Sequence, residues 1–488
     1  MIPETIKSPV AFLKSMLGYV PPEVGLSEYE SWWEAEGRAI SDAIDRAGTP
    51  WLRMFDRFGE RIDEVLFPPE YWTMLRKGYR AGVVWRVFEE ESLLSSYLLG
   101  YVTAFYDPGL YCPYTVSLST AVPLDKYGSE EIRQRFLPSL LRRDGSVWQG
   151  ATWMTEVKGG SDLGAAVETV ARQAGRRWLL TGDKYFASNV GADLAVVAAR
   201  PEGAPRNVRG LALFVVPKYR EDGSRNYWVR RLKDKIATRS VPTGEVELRD
   251  SEGYLLGKPE HGIYLILEVL NLSRVANSVA SVAVAQRAMS EALGFAHRRE
   301  AFGRPVVEHP LLRWQFDERM AQLEAAFALA WEAVKLLDQV WRETYRYSDR
   351  YHLFRLVAHL AKYWTAELAA QISKWAMEVH GGMGTLHEFG VERWLREAMI
   401  LAIWEGTPHR QILDGLEAME RKRAHRLLFE HVAPAADPQA LAEMDVRVED
   451  LLALPAEERE AKAEELFRDL AVFVAETLQV QQGGTSGA

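Results

Sequence analysis

The sequence predicts an α+β fold, mostly α: an N-terminal helical domain, a middle β domain, and a C-terminal four-helix bundle followed by a helical extension. Three observations predict it. Residues 1 to 148 carry helix-start signals. Residues 149 to 262 carry short apolar runs bounded by turn residues. From residue 263, apolar residues recur at three- and four-residue spacing over blocks of bundle length. The chain has 488 residues, 48% of them hydrophobic, enough for two to four domains with ample core.

Each part has its own signals. Ser27 ahead of Glu28 and Glu30 reads as a capped helix start. Ser129, with Glu130 and Glu131, opens another helix, expected to end at Pro138. Val167–Ala171 alternates, Trp178–Thr181 leads into a turn at Gly182, and Ala195–Ala199 and Leu211–Val216 are short apolar runs. With no helix between them, these read as an antiparallel sheet or barrel. Four bundle helices are expected at Tyr264–Arg299, Leu311–Tyr345, Tyr351–His380 and about Pro408–Glu430. Phe316, Met320, Leu323 and Phe327 mark one apolar stripe. A linker around Pro434 and Pro438 introduces an acidic extension over 433–488, and Gln481–Ala488 is expected to be disordered.

Composition excludes several classes. The formal charge is -9, so the chain as a whole is not built to hold a polyanion. A single cysteine, Cys112, excludes an internal disulfide framework and suits a reducing cytoplasm. Met1–Lys14 lacks a signal-peptide pattern, and no uninterrupted apolar run approaches membrane-spanning length.

Five segments carry candidate chemistry. Met154-Thr155-Glu156 with Gly160-Ser161-Asp162 offers hydroxyls and free amides to the polar edge of a flat heterocycle. Phe186 and Ser188, two residues apart, share one strand face, so a ring cover and an edge hydrogen bond lie side by side. A turn plus an ordinary strand face is the alternative. Arg298-Arg299-Glu300-Ala301-Phe302-Gly303 suits phosphate oxygens, or merely complements a helix dipole. His380-Gly381-Gly382-Met383-Gly384 permits close approach of a cofactor, or caps a helix. Trp404-Glu405-Gly406-Thr407 places a carboxylate between an aromatic and a glycine at a helix–helix bend. Desolvated there, Glu405 is a stronger base than in water.

In their joint order these segments resemble the acyl-CoA dehydrogenase family, over about Ser95 to Glu420. The Ile403-Trp404-Glu405-Gly406 run, Leu413–Leu416, Glu378 and the long extension resemble its AidB-like branch. The resemblance implies a helical, β-barrel and four-helix-bundle architecture with FAD as cofactor. It implies that Met154, Thr155, Gly160 and Ser161 hold the flavin and that Phe186 and Ser188 flank its ring. It implies that Arg299 and Phe302 reach the FAD of a partner subunit in a homotetramer. Glu378, Gly381 and Gly382 would lie near the adenosine half, and Thr407 and His409 near the phosphates. Glu405 would be the catalytic base, with Arg274 and Gly406 on the substrate side. Ala301, Pro310 and Phe186 depart from the common residues of the family, and Trp404 replaces its usual Tyr.

The implied reaction is α,β-dehydrogenation of an acyl-CoA thioester in fatty acid metabolism. Glu405 takes the α-proton, and hydride passes from the β-carbon to flavin N5. Each donor on the thioester oxygen contributes about 3 kcal/mol. An electron-transferring flavoprotein is the implied acceptor. The alternative is an AidB-like flavoprotein associated with nucleic acid and an alkylation response, with little or no turnover. Its support is the basic stretch Lys218–Arg239 and the cluster Arg421-Lys422-Arg423; the net charge weighs against it. No membrane partner is expected. Asp would be expected at the base position of a nitroalkane oxidase, so Glu405 argues against one.

Overall fold

The computed structural model describes residues 3–485. It comprises two compact units, Ser31–Ser273 and a second built from the N-terminal segment to Glu30 with Arg274 onward.

The first unit contains the β domain. Its strands are β1 (Trp51–Phe55), β2 (Arg61–Leu66), β3 (Gly150–Trp153), β4 (Val170–Ala174), β5 (Arg177–Ser188), β6 (Leu194–Pro201), β7 (Ala212–Pro217), β8 (Trp228–Leu232) and β9 (Thr243–Leu256). β6, β4, β5, β9 and β7 pair in a closed ring, because β7 returns to β6; β3 adds to β6 and β8 to β9. The barrel is mixed rather than antiparallel throughout, since β3 and β4 each run parallel to β6. Its interior is packed by Trp153, Leu180, Val197, Phe214, Tyr227 and Val246, all buried.

β5 does not stop at the Gly182 turn signal. It runs on to Ser188, pairing with β9 across a register shift at that point. Gly182 sits at φ 154, and a Cβ there would meet Thr169 Oγ1 at 2.5 Å, so the glycine permits the kink rather than a chain reversal.

The helical N-terminal region also holds a β-hairpin that the sequence reading omits. β1 and β2 pair antiparallel around a turn in which Asp56 Oδ1 accepts from the amides of Phe58 at 2.8 Å and Glu60 at 2.9 Å. The hairpin is tied to the barrel through Asp63 Oδ2, which accepts from the Val229 amide at 2.8 Å. The helix opened by Ser129 passes through Pro138 to Leu140. A proline near the end of a helix forfeits a hydrogen bond without ending it.

The second unit is helical. Its long helices are Arg274–Arg298 (the continuation of a helix that starts at Gly262), Pro310–Val340 and Asp349–His380. Val391–Ile403, which the sequence reading did not separate, and Pro408–Lys422 complete the bundle. The predicted helix Pro408–Glu430 is divided at Arg423, which adopts φ 52 between Lys422 and Ala424–Val432. The helix that starts at Gly262 is apolar and long enough to cross a membrane, but 83% of its most apolar window is buried inside the protein. Its composition is that of a core helix.

The extension forms two helices, Pro438–Ala453 and Ala456–Thr485. The latter packs on the bundle, with the Phe467 ring 5.5 Å from Tyr363 and its Cε2 2.3 Å from where a Cβ on Gly415 would lie. The disorder expected from Gln481 is replaced by helix through Thr485; residues 486–488 lie outside the described residues.

Candidate active site

Glu405 stands at the bend between Val391–Ile403 and Pro408–Lys422. It is a non-glycine residue in the left-handed region, φ 59, followed by Gly406 at φ 105. Such a conformation costs an L-residue about 1–2 kcal/mol, so the surroundings must hold it. They do so through the carbonyls of the bend. The Lys362 ammonium donates to Ala402 O at 2.8 Å and Gly406 O at 2.6 Å. Gln411 Nε2 donates to Glu405 O at 3.1 Å and Gly406 O at 3.0 Å. Its Oε1 lies 2.9 Å from His359 Nδ1. Asn277 donates to Leu401 O at 3.0 Å, so a third helix braces the end of Val391–Ile403.

The electrostatics follow from burial. The Glu405 side chain keeps partial solvent access yet is densely surrounded by protein. Burial pushes its carboxyl above the ordinary glutamate range, and the charges of Arg274 and Lys362 oppose that rise. Burial, reinforced by Arg274, lowers Lys362 to about 7. The same two causes hold His359 neutral, lowered to about 3. Neutral His359 accordingly donates from Nδ1 to Gln411 Oε1, which leaves Gln411 Nε2 as the donor to the bend. Arg274 is 4% exposed and interacts with Glu405 and Asp414. The buried indole N–H of Trp404 has no hydrogen-bond partner among the described residues. An orphaned donor next to the carboxylate fits a site built for a polar ligand atom.

Thr407 is the N-cap of Pro408–Lys422, and its side chain does not cap the helix. The first-turn amides therefore remain without a side-chain acceptor, a fit for phosphate oxygens beside Thr407 and exposed His409. Gly381, at φ 60, and Gly382 have open space where a Cβ would stand, which leaves room for close approach. Glu378 pairs with Lys374, which offsets the negative charge it would bring to a diphosphate. Phe302 is 98% exposed at the tip of a short hairpin, Glu300–Ala301 against Arg304–Pro305. The Arg299 side chain is exposed and forms no ion pair among the described residues.

In the other unit the first two constellations are brought together. The Thr155 carbonyl accepts from the Tyr185 amide at 3.0 Å, and Trp153 Nε1 donates to Ser188 O at 3.1 Å. Met154 is buried, Ser188 is half-buried, and Phe186 is 52% exposed. The Thr155 hydroxyl lies 2.5 Å from where a Gly160 Cβ would stand, so the glycine makes room for it. Ser161 follows on the same exposed turn, closed by Glu156 and Gly159. This exposed hydroxyl-and-amide edge, beside a partly exposed aromatic ring, fits the polar rim of a flavin.

Beneath it, Glu156 accepts from Lys184 Nζ and Thr169 Oγ1, each at 2.6 Å, and from the Glu168 amide at 2.7 Å. Burial raises the Glu156 carboxyl, but Lys184 and these hydrogen bonds outweigh it and hold it below the glutamate range. Sequence reasoning gave Glu156 and Lys184 no role beyond membership of their motifs, and missed Lys362, His359 and Gln411.

The basic stretch Lys218–Arg239 is largely engaged. Arg230 pairs with Asp183 at 2.9 Å, Arg231 and Lys233 share Glu245 at 2.7 and 2.6 Å, and Lys235 is bound by the Val241 and Thr238 carbonyls. Arg421 pairs with Glu417 and Arg423 with Glu449.

Comparisons with known proteins agree with this layout. Residues 34–144 match the adaptive response protein AidB N-terminal domain, 151–251 the acyl-CoA dehydrogenase middle domain, and 260–420 the acyl-CoA dehydrogenase C-terminal domain. AidB of Escherichia coli is 30% identical over 430 residues, covering 84% of this chain and 76% of that protein. Acyl-CoA dehydrogenase family member 11 of Caenorhabditis elegans is 29% identical, covering 80% of this chain and 67% of that protein. A solved structure, Bd2924 in its apo form, superposes with a TM-score of 0.87 at 27% identity, covering 99% of this chain and 97% of that one. The Caenorhabditis elegans ACDH-11 complex with C11-CoA superposes with a TM-score of 0.84 at 23% identity, over 100% of this chain and 88% of that one. The chain belongs to the acyl-CoA dehydrogenase family of oxidoreductases, with the N-terminal domain of the AidB-like branch.

Proposed function

We propose that this protein is an FAD-dependent acyl-CoA dehydrogenase in which Glu405 removes the α-proton of an acyl thioester. The observation that carries the proposal is the Glu405 bend: a carboxylate on a left-handed backbone, made more basic by burial, with Arg274 and Lys362 opposing that rise. A carbon acid beside a thioester needs both a basic carboxylate and stabilisation of the charge that develops on the carbonyl oxygen. Burial supplies the first. Arg274 and Lys362 limit the rise, so that Glu405 stays available as the ionised base.

FAD, when bound, accepts the two electrons that leave the β-carbon. Thr155, Ser161 and Ser188 would hydrogen-bond it and Phe186 would cover it. Thr407, His409 and the adjacent helix N-terminus would take phosphate oxygens, and Gly381 and Gly382 would admit the adenosine half. Exposed Phe302 and Arg299 would serve the FAD of a partner subunit in a tetramer; an almost fully exposed phenylalanine supports that reading. An electron-transferring flavoprotein would carry the electrons onward, and the cytoplasm would be the compartment. The nucleic-acid reading is not favoured, because the net charge is -9 and several of the cations that suggested it, Arg230, Arg231, Lys233, Arg421 and Arg423, are paired with neighbouring carboxylates.

The test is an anaerobic titration of the FAD-loaded protein with acyl-CoAs of several chain lengths. Bleaching of the flavin is expected, and Glu405→Gln should keep FAD and lose the bleaching. Near-normal turnover in Glu405→Gln would remove Glu405 as base. Readmission of air then separates a dehydrogenase from an oxidase.

A further inference from the structure

Lys362 is 1% exposed in the middle of Asp349–His380, and its ammonium reaches past its own helix to the bend. It donates to two carbonyls, one on each side of Glu405: Ala402 O, in the last turn of Val391–Ile403, and Gly406 O, just after the base. The Ala402 carbonyl is one that a helix end leaves without an internal partner. Gln411 engages the carbonyl of Glu405 itself. The bend is thus held through its backbone, and its one carboxylate side chain is left for other work. We propose that Lys362 is a positioning residue for the base, bridging Ala402 and Gly406 to lock the left-handed turn on which Glu405 stands.

The bridge explains why a lysine is kept where burial disfavours its charge. A buried ammonium is sustained by carbonyl oxygens and by nearby anions, here Glu405 and Glu367, against the opposing charge of Arg274. It also stands close enough to Glu405 to favour the ionised carboxylate. Removing Lys362 therefore has two consequences. The turn is released, and the carboxyl loses one of its two nearby cations.

This inference rests on Glu405 being the base. The variants are Lys362→Met, which keeps the length and drops donors and charge, and Lys362→Arg, which keeps both. Each is measured as FAD-loaded protein with an acyl-CoA substrate. Lys362→Met is expected to retain FAD and to lose about 100-fold in kcat, the scale of a small misplacement of a reacting group. KM should change little, and Lys362→Arg should restore at least part of the rate. An infrared titration of the Glu405 carboxyl, isolated by difference against Glu405→Gln, should show its midpoint raised in Lys362→Met. Glu405→Gln with and without Lys362→Met should have equal residual activity, because the lysine acts through the base.

Normal kcat in a folded but less heat-stable Lys362→Met would overturn the proposal, as would additive losses in the double variant. Should Lys362→Met not fold, Lys362→Gln is judged by the same kcat and infrared criteria. An active Glu405→Gln marks failure of the base assignment. An inactive Glu405→Gln beside a fully active Lys362→Met marks failure of the lysine assignment alone.

Discussion

Lys184→Met tests how the turn proposed to face the flavin is held up. Lys184 is 1% exposed and Glu156 5%, and their 2.6 Å contact lies directly beneath Thr155. Removing one partner of a buried pair typically costs 3–5 kcal/mol, because the other is left charged and unpaired. Glu156 would keep its bonds from Thr169 Oγ1 and the Glu168 amide, which places the electrostatic loss near the lower bound. Lys184 also donates to Ala198 O at 2.8 Å, and an orphaned strand carbonyl adds about 1 kcal/mol. The sum is about 4 kcal/mol, concentrated in β3, β5 and β6.

Hydrogen exchange read over peptides spanning residues 150–160 and 180–190 reports that loss locally, without assuming that both units unfold together. The pH dependence carries a sign. Glu156 in the native protein sits below its ordinary range, so its contribution is complete above that range and is lost as pH falls through the native value. Without Lys184 the carboxyl is expected to rise instead, so the deficit of Lys184→Met should shrink in acid as Glu156 protonates. Adding Glu156→Gln should recover about half of the loss, since it removes the stranded charge. FAD content should fall with the single variant and return with the double. A deficit below about 1 kcal/mol, or one that is equal at all pH values and unrelieved by Glu156→Gln, would refute the reasoning.

Two further outcomes are expected. Gly160→Ala should weaken FAD retention with little change in thermal stability, because the added Cβ would stand 2.5 Å from Thr155 Oγ1 on an exposed turn and displace that hydroxyl; unchanged FAD affinity would separate Thr155 from the cofactor. His359 titrates at about 3 in the fold against 6.5 unperturbed, so its stability contribution is full above 6.5 and is lost as pH falls toward 3. At pH 5 this amounts to about 2 kcal/mol, and His359→Asn, which keeps a donor to Gln411, should flatten the acid side of the unfolding curve.

Local patterning made the architecture legible wherever one periodicity ruled a segment. The Phe316–Phe327 stripe lies in a helix, and Ala195–Ala199 and Leu211–Val216 fall in β6 and β7. The failures come from signals that work against the local pattern. The β1–β2 hairpin is short and depends on Asp56 capping its turn and Asp63 reaching β8, so helical surroundings masked it. Gly182 reads as a turn because glycine at positive φ usually makes one; here close packing against Thr169 keeps the strand going. The parallel pairings of β6 could not be read, because strand direction is fixed by the crossover and not by the alternation of side chains.

The site shows the same division more sharply. Glu405 was legible because its neighbours in sequence, an aromatic and a glycine, report the bend. Its main supports were not, because Lys362, His359 and Asn277 lie on helices distant from Glu405 in sequence. Lys362 lies between Ala361 and Tyr363, and His359 between Ala358 and Leu360, on a helix whose interior is almost wholly buried. In sequence, a lysine and a histidine there read as interruptions of an apolar run. In the structure they are the reason for the run: the apolar surroundings lower Lys362 to about 7 and His359 to about 3, and raise Glu405. Those shifts have one origin, so they should move together. A substitution that admits water to this helix, such as Leu401→Asn beside the bend, should bring all three groups back toward their ordinary values. A Glu405 that stays where it is would mean that its basicity does not come from the dryness of the bundle, since the charges of Arg274 and Lys362 only oppose the rise.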